Sequence, residues 1–175
     1  MKRAFLTLTA AAAMFGGGAH AAMTLSSPDI APNARIPTAQ IYPRCGGQNV
    51  SPGLAWSGAP AGTKSLVLTM IDLDVKPALW SHWIVVDLPP TASGLARGVK
   101  ALPGKAKAVA GNFGDAGYDG PCPPAGTGVH HYQFTIWAMP APITAIAPDS
   151  DARQIAPMLA KTALAHAAFI GWARR

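Results

Sequence analysis

Three apolar segments of this chain alternate with the period of a β-strand, and each is stopped by proline. Ser65 to Asp74 runs into Lys76-Pro77, Trp80 to Leu88 into Pro89-Pro90, and His131 to Met139 into Pro140 and Pro142. Proline fixes φ and removes the N–H, so it continues neither a strand ladder nor a helix interior. The segments are too short and too clearly two-periodic for core helices. In the first, Leu66, Leu68, Met70, Asp72 and Asp74 share one face and Val67, Thr69, Ile71 and Leu73 the other, so both faces are mostly apolar. That pattern predicts a central strand buried on both sides. In the second, alternation puts His82, Ile84 and Val86 on one face and Trp83, Val85 and Asp87 on the other. In the third, Tyr132, Phe134 and Ile136 oppose Gln133, Thr135 and Trp137. The short connection between the first two suits antiparallel neighbours.

Weaker signals fill in the rest. Met23 to Ser27, Leu54 to Ser57 and Ala106 to Gly111 read as short strands, and Ala31 to Pro43 as extended loop. Gly111 to Gly128, rich in glycine and proline, is a long loop of the kind that is usually functional. Ser150 fits the N-cap of a helix from Asp151 to Leu164, which Pro157 is expected to kink or split. Ala167 to Ala173 reads as a last short strand. With no repeat and no second domain, the expected class is mainly β, an antiparallel β-sandwich with a short C-terminal helical segment.

The N-terminus has a different character. Lys2 and Arg3 precede an apolar run from Ala4 to Phe15, followed by Ala19-His20-Ala21. This is the grammar of a secretory signal, shorter than a bilayer span. Residues 1–21 are therefore expected to be cleaved after Ala21, leaving 22–175 as one domain in the periplasm. With Lys2 and Arg3 gone, formal charge falls from +6 to +4. The basic residues are scattered, with a small concentration at Arg97, Lys100, Lys105 and Lys107. That excludes a nucleic-acid stripe and leaves a solvated face or a small anionic partner. Export permits a disulfide, and Cys45 and Cys122, each in a Gly/Pro-rich loop, are expected to form one.

Polar residues sit where the core pattern wants apolar ones. Asp72 and Asp74 end one strand, His82 opens the next, and His130 and Tyr132 open the third. If the strands are neighbours, these residues meet at one end of the sheet, where buried carboxylates and imidazoles partner each other. The loop Gly120-Pro121-Cys122-Pro123-Pro124 would form the facing wall. Two imidazoles and glycine N–H groups suit a small anion, with His82 and His130 donating, Asp72 orienting and Tyr132 adding its hydroxyl. His131 alternates away from His130. No Ser or Cys stands beside a histidine in a nucleophile elbow, and no H-E-x-x-H or comparable spacing is present, so neither catalysis, nor a metal, nor another cofactor is expected. A metal-dependent hydrolase is the weakest reading.

These same residues carry a family resemblance. Cys45-Gly46-Gly47-Gln48-Asn49-Val50-Ser51-Pro52 resembles a Cys-x-Gly-x-Asn-x-Ser-Pro segment. Leu54-Ala55-Trp56 through Pro60-Ala61-Gly62-Thr63-Lys64-Ser65, Asp72-Leu73-Asp74, Ser81-His82-Trp83, Gly120 to Tyr132 and Phe169-Ile170-Gly171-Trp172 follow in the same order. Together they resemble the phosphatidylethanolamine-binding protein (PEBP) family, in its bacterial YbhB/YbcL, Raf-kinase-inhibitor-like branch. The resemblance implies a β-sandwich with a small anion pocket at one end, binding phosphate-bearing groups such as phospholipid headgroups. It extends the candidate set to Asp72, Asp74, His82, Gly120, Pro121, His130 and Tyr132, with Pro123 and Pro124 aligning equally well. It also implies a protein target in some members, as a kinase or protease inhibitor, and admits a homodimer. The chain departs from the pattern at Leu73, Ser81, His131, Asp119 and Val75-Lys76-Pro77, where Lys76 is expected near the pocket mouth and Asp119 adds charge beside it.

Overall fold

In a computed structural model of the chain, residues 22–143 and 152–175 are described. The predicted signal segment, Ser150 and Asp151 lie outside them. Eight strands run β1 (Thr24–Ser26), β2 (Leu54–Ser57), β3 (Ser65–Asp72), β4 (Trp80–Leu88), β5 (Gly94–Leu95), β6 (Lys107–Val109), β7 (Val129–Met139) and β8 (Ala165–Arg174). One helix, α1 (Ala152–Thr162), precedes β8. The strands form two antiparallel sheets, β1-β2-β5 and β6-β4-β3-β7-β8.

The twofold apolar character of β3 has a direct cause. β3 lies between β4 and β7, and all eight of its residues are buried. Leu66, Leu68 and Met70 face the small sheet, packing in one cluster with Leu54, Trp56, Leu95, Trp83, Tyr132 and Phe134. Val67 faces away, with Ile84, Val86, Trp137 and Met139, and is covered by Ile155 and Leu159 of α1. The sheet thus buries one face against strands and the other against the helix.

The structure departs from the sequence-based reading at four elements. Pro157 does not split the helix, which runs unbroken from Ala152 to Thr162. The last strand is longer than expected, because its small residues pair with β7 from Ala165 to Arg174. β5 is too short to carry a periodic signal. Finally, β4 does not alternate evenly. Met70 pairs with Trp83 but Ile71 with Ser81, so one extra residue is inserted between them. This β-bulge turns His82 out of the Ile84–Val86 face and onto the face of Met70 and Tyr132, where its ring meets Tyr132 edge-on at 5.1 Å. A second irregularity, with Asp87 at φ 56°, gives the place expected for Asp87 to Leu88.

The outer edge of β8 is partly covered by the chain before Ile36. Ile36 N–H donates to the Trp172 carbonyl at 2.8 Å and Trp172 N–H to the Ala34 carbonyl at 3.0 Å, which blunts an open sheet edge.

Candidate functional site

Where β3, β4 and β7 end together, the fold leaves a cavity of about 220 Å³. Its strand wall is Asp72, His82 and Tyr132, with Trp80 at the mouth of β4. Its loop wall is Phe113, Cys122, Pro123 and Pro124, and Arg44 and Val75 stand at the rim. The register accounts for the strand wall: Asp72 pairs with Tyr132 on one side and Trp80 on the other, and the bulge delivers His82 beside them.

Both oxygens of the Asp72 carboxylate are engaged. One oxygen meets His130 Nδ1 at 2.7 Å and the other accepts the Asp74 N–H at 2.9 Å. His130 is committed as well, since its Nε2 lies 2.9 Å from the Thr127 hydroxyl. That hydroxyl gives its one proton to the Pro124 carbonyl at 2.8 Å, so it accepts from His130 Nε2–H. His130 is thus held on both ring nitrogens, between the Asp72 carboxylate and the loop.

His82 stands differently. Its Nδ1 donates to the Asp119 carbonyl at 2.8 Å, and the Asp119 N–H returns a bond to the His82 carbonyl at 2.9 Å. Burial depresses its pKa to about 4, against the opposing pull of the Asp119 carbonyl and Asp72. The ring is therefore neutral near pH 7, with its proton on Nδ1 and a lone pair on Nε2. The neighbouring Tyr132 hydroxyl is buried near the Asp72 carboxylate but has no partner in hydrogen-bond geometry among the described residues. Burial first, then the charge of Asp72, holds its pKa above the ordinary phenol range. Asp119 is itself buried, which raises its carboxyl to about 6 with help from Asp115.

The loop wall is built from long-range ties. Cys45 and Cys122 form a disulfide across 77 residues of sequence, with Cα atoms 5.5 Å apart. Asn49 brackets the turn before it: its side chain donates to the Tyr118 carbonyl at 3.0 Å and accepts the Gly120 N–H at 2.7 Å. Gly120 lies so close to the chain at Gln40–Tyr42 that a Cβ there would collide with the Gln40 carbonyl. Phe113 closes the wall, stacked on Tyr42 at 5.6 Å and edge-on to Trp80 and His82.

Of the seven candidate residues, Asp72, His82 and Tyr132 line the cavity. His130 stands behind Asp72 with both nitrogens engaged. Asp74 lies beyond the end of β3 and binds the His131 N–H at 2.7 Å and its imidazole at 2.9 Å. Burial works to raise its pKa, but the bonds from His131 hold it below the ordinary carboxylate value. Gly120 is spent on Asn49, and Pro121 lines a different cleft, so Pro123 and Pro124 are the prolines that face the cavity. Lys76 does not line it either. The rim cation is Arg44, which sequence reasoning passed over because nothing local in Pro43-Arg44-Cys45 marks it. Only the predicted disulfide, which carries Cys45 to Cys122, could have signalled its position.

A family model for phosphatidylethanolamine-binding protein matches residues 26–173. YbcL of Escherichia coli K12 is 39% identical over 145 residues, spanning 78% of this chain and 74% of that protein. A Mycobacterium tuberculosis protein named as a candidate lipoprotein, LppC, is 38% identical over 149 residues, spanning 85% of this chain and 71% of its own length. The crystal structure of Escherichia coli YbcL, described as a new member of the mammalian PEBP family, superposes with a TM-score of 0.79 at 33% identity, covering 89% of this chain and 99% of that one. A candidate PEBP homologue from Chlamydia trachomatis, CT736, superposes with a TM-score of 0.72 at 31% identity, over 88% of this chain and 98% of that one. With two antiparallel sheets and one α-helix among its described residues, the chain belongs to the phosphatidylethanolamine-binding protein family, in its YbcL-like branch.

Proposed function

We propose that the protein is exported and holds a small phosphate-type oxyanion in the aromatic cavity, without chemical turnover. The observation that carries this reading is the buried Tyr132 hydroxyl, which lies near Asp72 but has no partner in hydrogen-bond geometry among the described residues, in a cavity rimmed by Arg44. Among the described residues Arg44 forms no ion pair. A buried hydroxyl without a partner costs about 1–3 kcal/mol, and an oxyanion accepting from it and from the guanidinium removes that cost. His82 contributes an acceptor at Nε2, so the preferred ligand state is a phosphate that keeps one proton and donates it there. The cavity wall offers no hydroxyl or thiol poised for attack: Cys122 is bonded to Cys45, and the phenol of Tyr132 resists ionisation. Export is supported by the disulfide, which persists in oxidising compartments, and by the lipoprotein name of the mycobacterial relative.

Calorimetric titration of inorganic phosphate and glycerol phosphate into wild type, Tyr132→Phe and Arg44→Gln tests the reading. Each substitution is expected to weaken binding about tenfold or more, the worth of one hydrogen bond to a charged group. Binding unchanged in both variants, or none in the wild type, overturns it.

A further inference from the structure

A second cleft opens on the other side of the proline loop. It measures about 90 Å³, and Arg35, Thr38, Arg174, Arg175, Pro121 and Pro123 form most of its lining. No carboxylate side chain lines it. Among the described residues none of the three guanidiniums forms an ion pair or a hydrogen bond. Arg97 shows the contrast: it too is exposed, yet it holds Asp29 at 3.0 Å.

The backbone gathers these charges. Arg35 sits in a parallel bridge opposite Trp172, tied on both sides by the hydrogen bonds of Ala34 and Ile36. Arg174 ends β8, paired with Val129 at the start of β7. The Cys45–Cys122 bridge fixes the loop that carries Pro121 and Pro123. Three guanidiniums line this one small cleft, and their mutual repulsion is offset only in part by the α-carboxylate of Arg175. A bound anion converts that repulsion into attraction. Guanidinium forks match the oxygens of a tetrahedral anion, Thr38 adds a hydroxyl, and the proline wall brings no N–H of its own.

We propose that this cleft is a second oxyanion site, taking a phosphate-type group between Arg35, Arg174 and Arg175. It stands apart from the aromatic cavity, with Pro123 shared between their walls, Cys45 facing the cleft and Cys122 facing the cavity. It requires neither Tyr132 nor Arg44, so it does not depend on the function proposed above. The same chemistry is offered by a dissolved phosphate and by the headgroup of an anionic lipid.

The test follows the backbone amides of Thr38 and Ala173 by NMR during titration of the whole protein. One arm uses inorganic pyrophosphate; the other uses phosphatidylcholine vesicles with and without phosphatidylglycerol. Arg35→Gln/Arg174→Gln/Arg175→Gln is compared with the charge-matched Lys100→Gln/Lys105→Gln/Lys107→Gln, both checked for an unchanged melting temperature. The expected result is a saturable response at Thr38 and Ala173, weakened about tenfold or more in the arginine variant and by less than about twofold in the lysine variant. A response to pyrophosphate identifies a dissolved oxyanion, and one confined to anionic vesicles identifies a headgroup. No response to either probe, or equal weakening in the two variants, overturns the proposal. A response at Thr38 and Ala173 with silence at Trp80 and Phe113 upholds this site and counts against the cavity; the reverse pattern does the opposite.

Discussion

The two walls of the aromatic cavity are made in different ways. The strand wall of Asp72, His82 and Tyr132 is set by register in a sheet whose ladders continue far beyond the site. The loop wall of Phe113 and Cys122 to Pro124 has no ladder. It is held by a disulfide, by the Asn49 bracket and by the bond from His130 to Thr127. A ladder distributes its stability over many bonds, so losing one polar contact leaves the strand in place. A loop fixed by a few side chains moves when any of them is lost. Geometry at the strand wall is therefore robust, and shape at the loop wall is adjustable.

The largest expected effect breaks the loop wall alone. Cys45→Ala/Cys122→Ala removes the staple across 77 residues, which chain entropy values at about 4 kcal/mol. Denaturant unfolding is expected to show a loss of that order. Native-state hydrogen exchange is expected to accelerate at the Gly120 and Thr127 amides while those of Leu68 and Phe134 keep their rank. Uniform acceleration would erase the distinction between the walls.

A somewhat smaller effect belongs to the strand wall and appears with pH. His82 titrates near 6.5 when unfolded and about 4 when folded. The unfolded chain therefore binds more protons between these values, and stability is lost as pH falls from 6.5 towards 4. For a fully buried ring the shift corresponds to roughly 3 kcal/mol. Asp119, raised to about 6, opposes this: its cost grows as pH rises from 3.8 through 6. Stability measured from pH 7 to 4 should thus fall less steeply in His82→Phe than in wild type. Parallel curves would mean that the ring is not held neutral.

The smallest effect sharpens the comparison. Asn49→Ala removes both bracket bonds and leaves the Gly120 N–H unpaired, a cost of about 1–3 kcal/mol. The loss should appear with the strand-wall amides unshifted in NMR, and propagation of the shifts to Asp72 would show the walls to be coupled.

Much of this was legible in the sequence, for a physical reason. Strand alternation and proline stops located β3, β4 and β7, and the doubly apolar β3 located the sheet centre, because burial acts residue by residue along the chain. The prediction placed Asp72 and Tyr132 at one strand end, and they are paired there. What was not legible depends on departures from periodicity or on distant segments. The bulge that turns His82 inward is one inserted residue in the register of Met70 and Trp83, and alternation alone puts the ring on the wrong face. Arg44 and Phe113 reach the cavity through the disulfide and through ring contacts with Tyr42, neither of which leaves a local pattern. His130 looked like a ligand donor because its second partner, Thr127, lies in a loop whose conformation no periodicity encodes.

Central to the proposed binding is a neutral His82 whose Nε2 lone pair meets a protonated oxyanion. Imidazole ¹⁵N NMR of the whole protein at neutral pH, recorded with and without saturating inorganic phosphate, examines that contact directly. The expected spectrum of the free protein has a protonated Nδ1 and an unprotonated Nε2 at His82. Phosphate should move the Nε2 resonance in the wild type and fail to do so, at the same concentration, in Arg44→Gln. A doubly protonated ring in the free protein, or an Nε2 resonance that phosphate leaves unmoved, would contradict it.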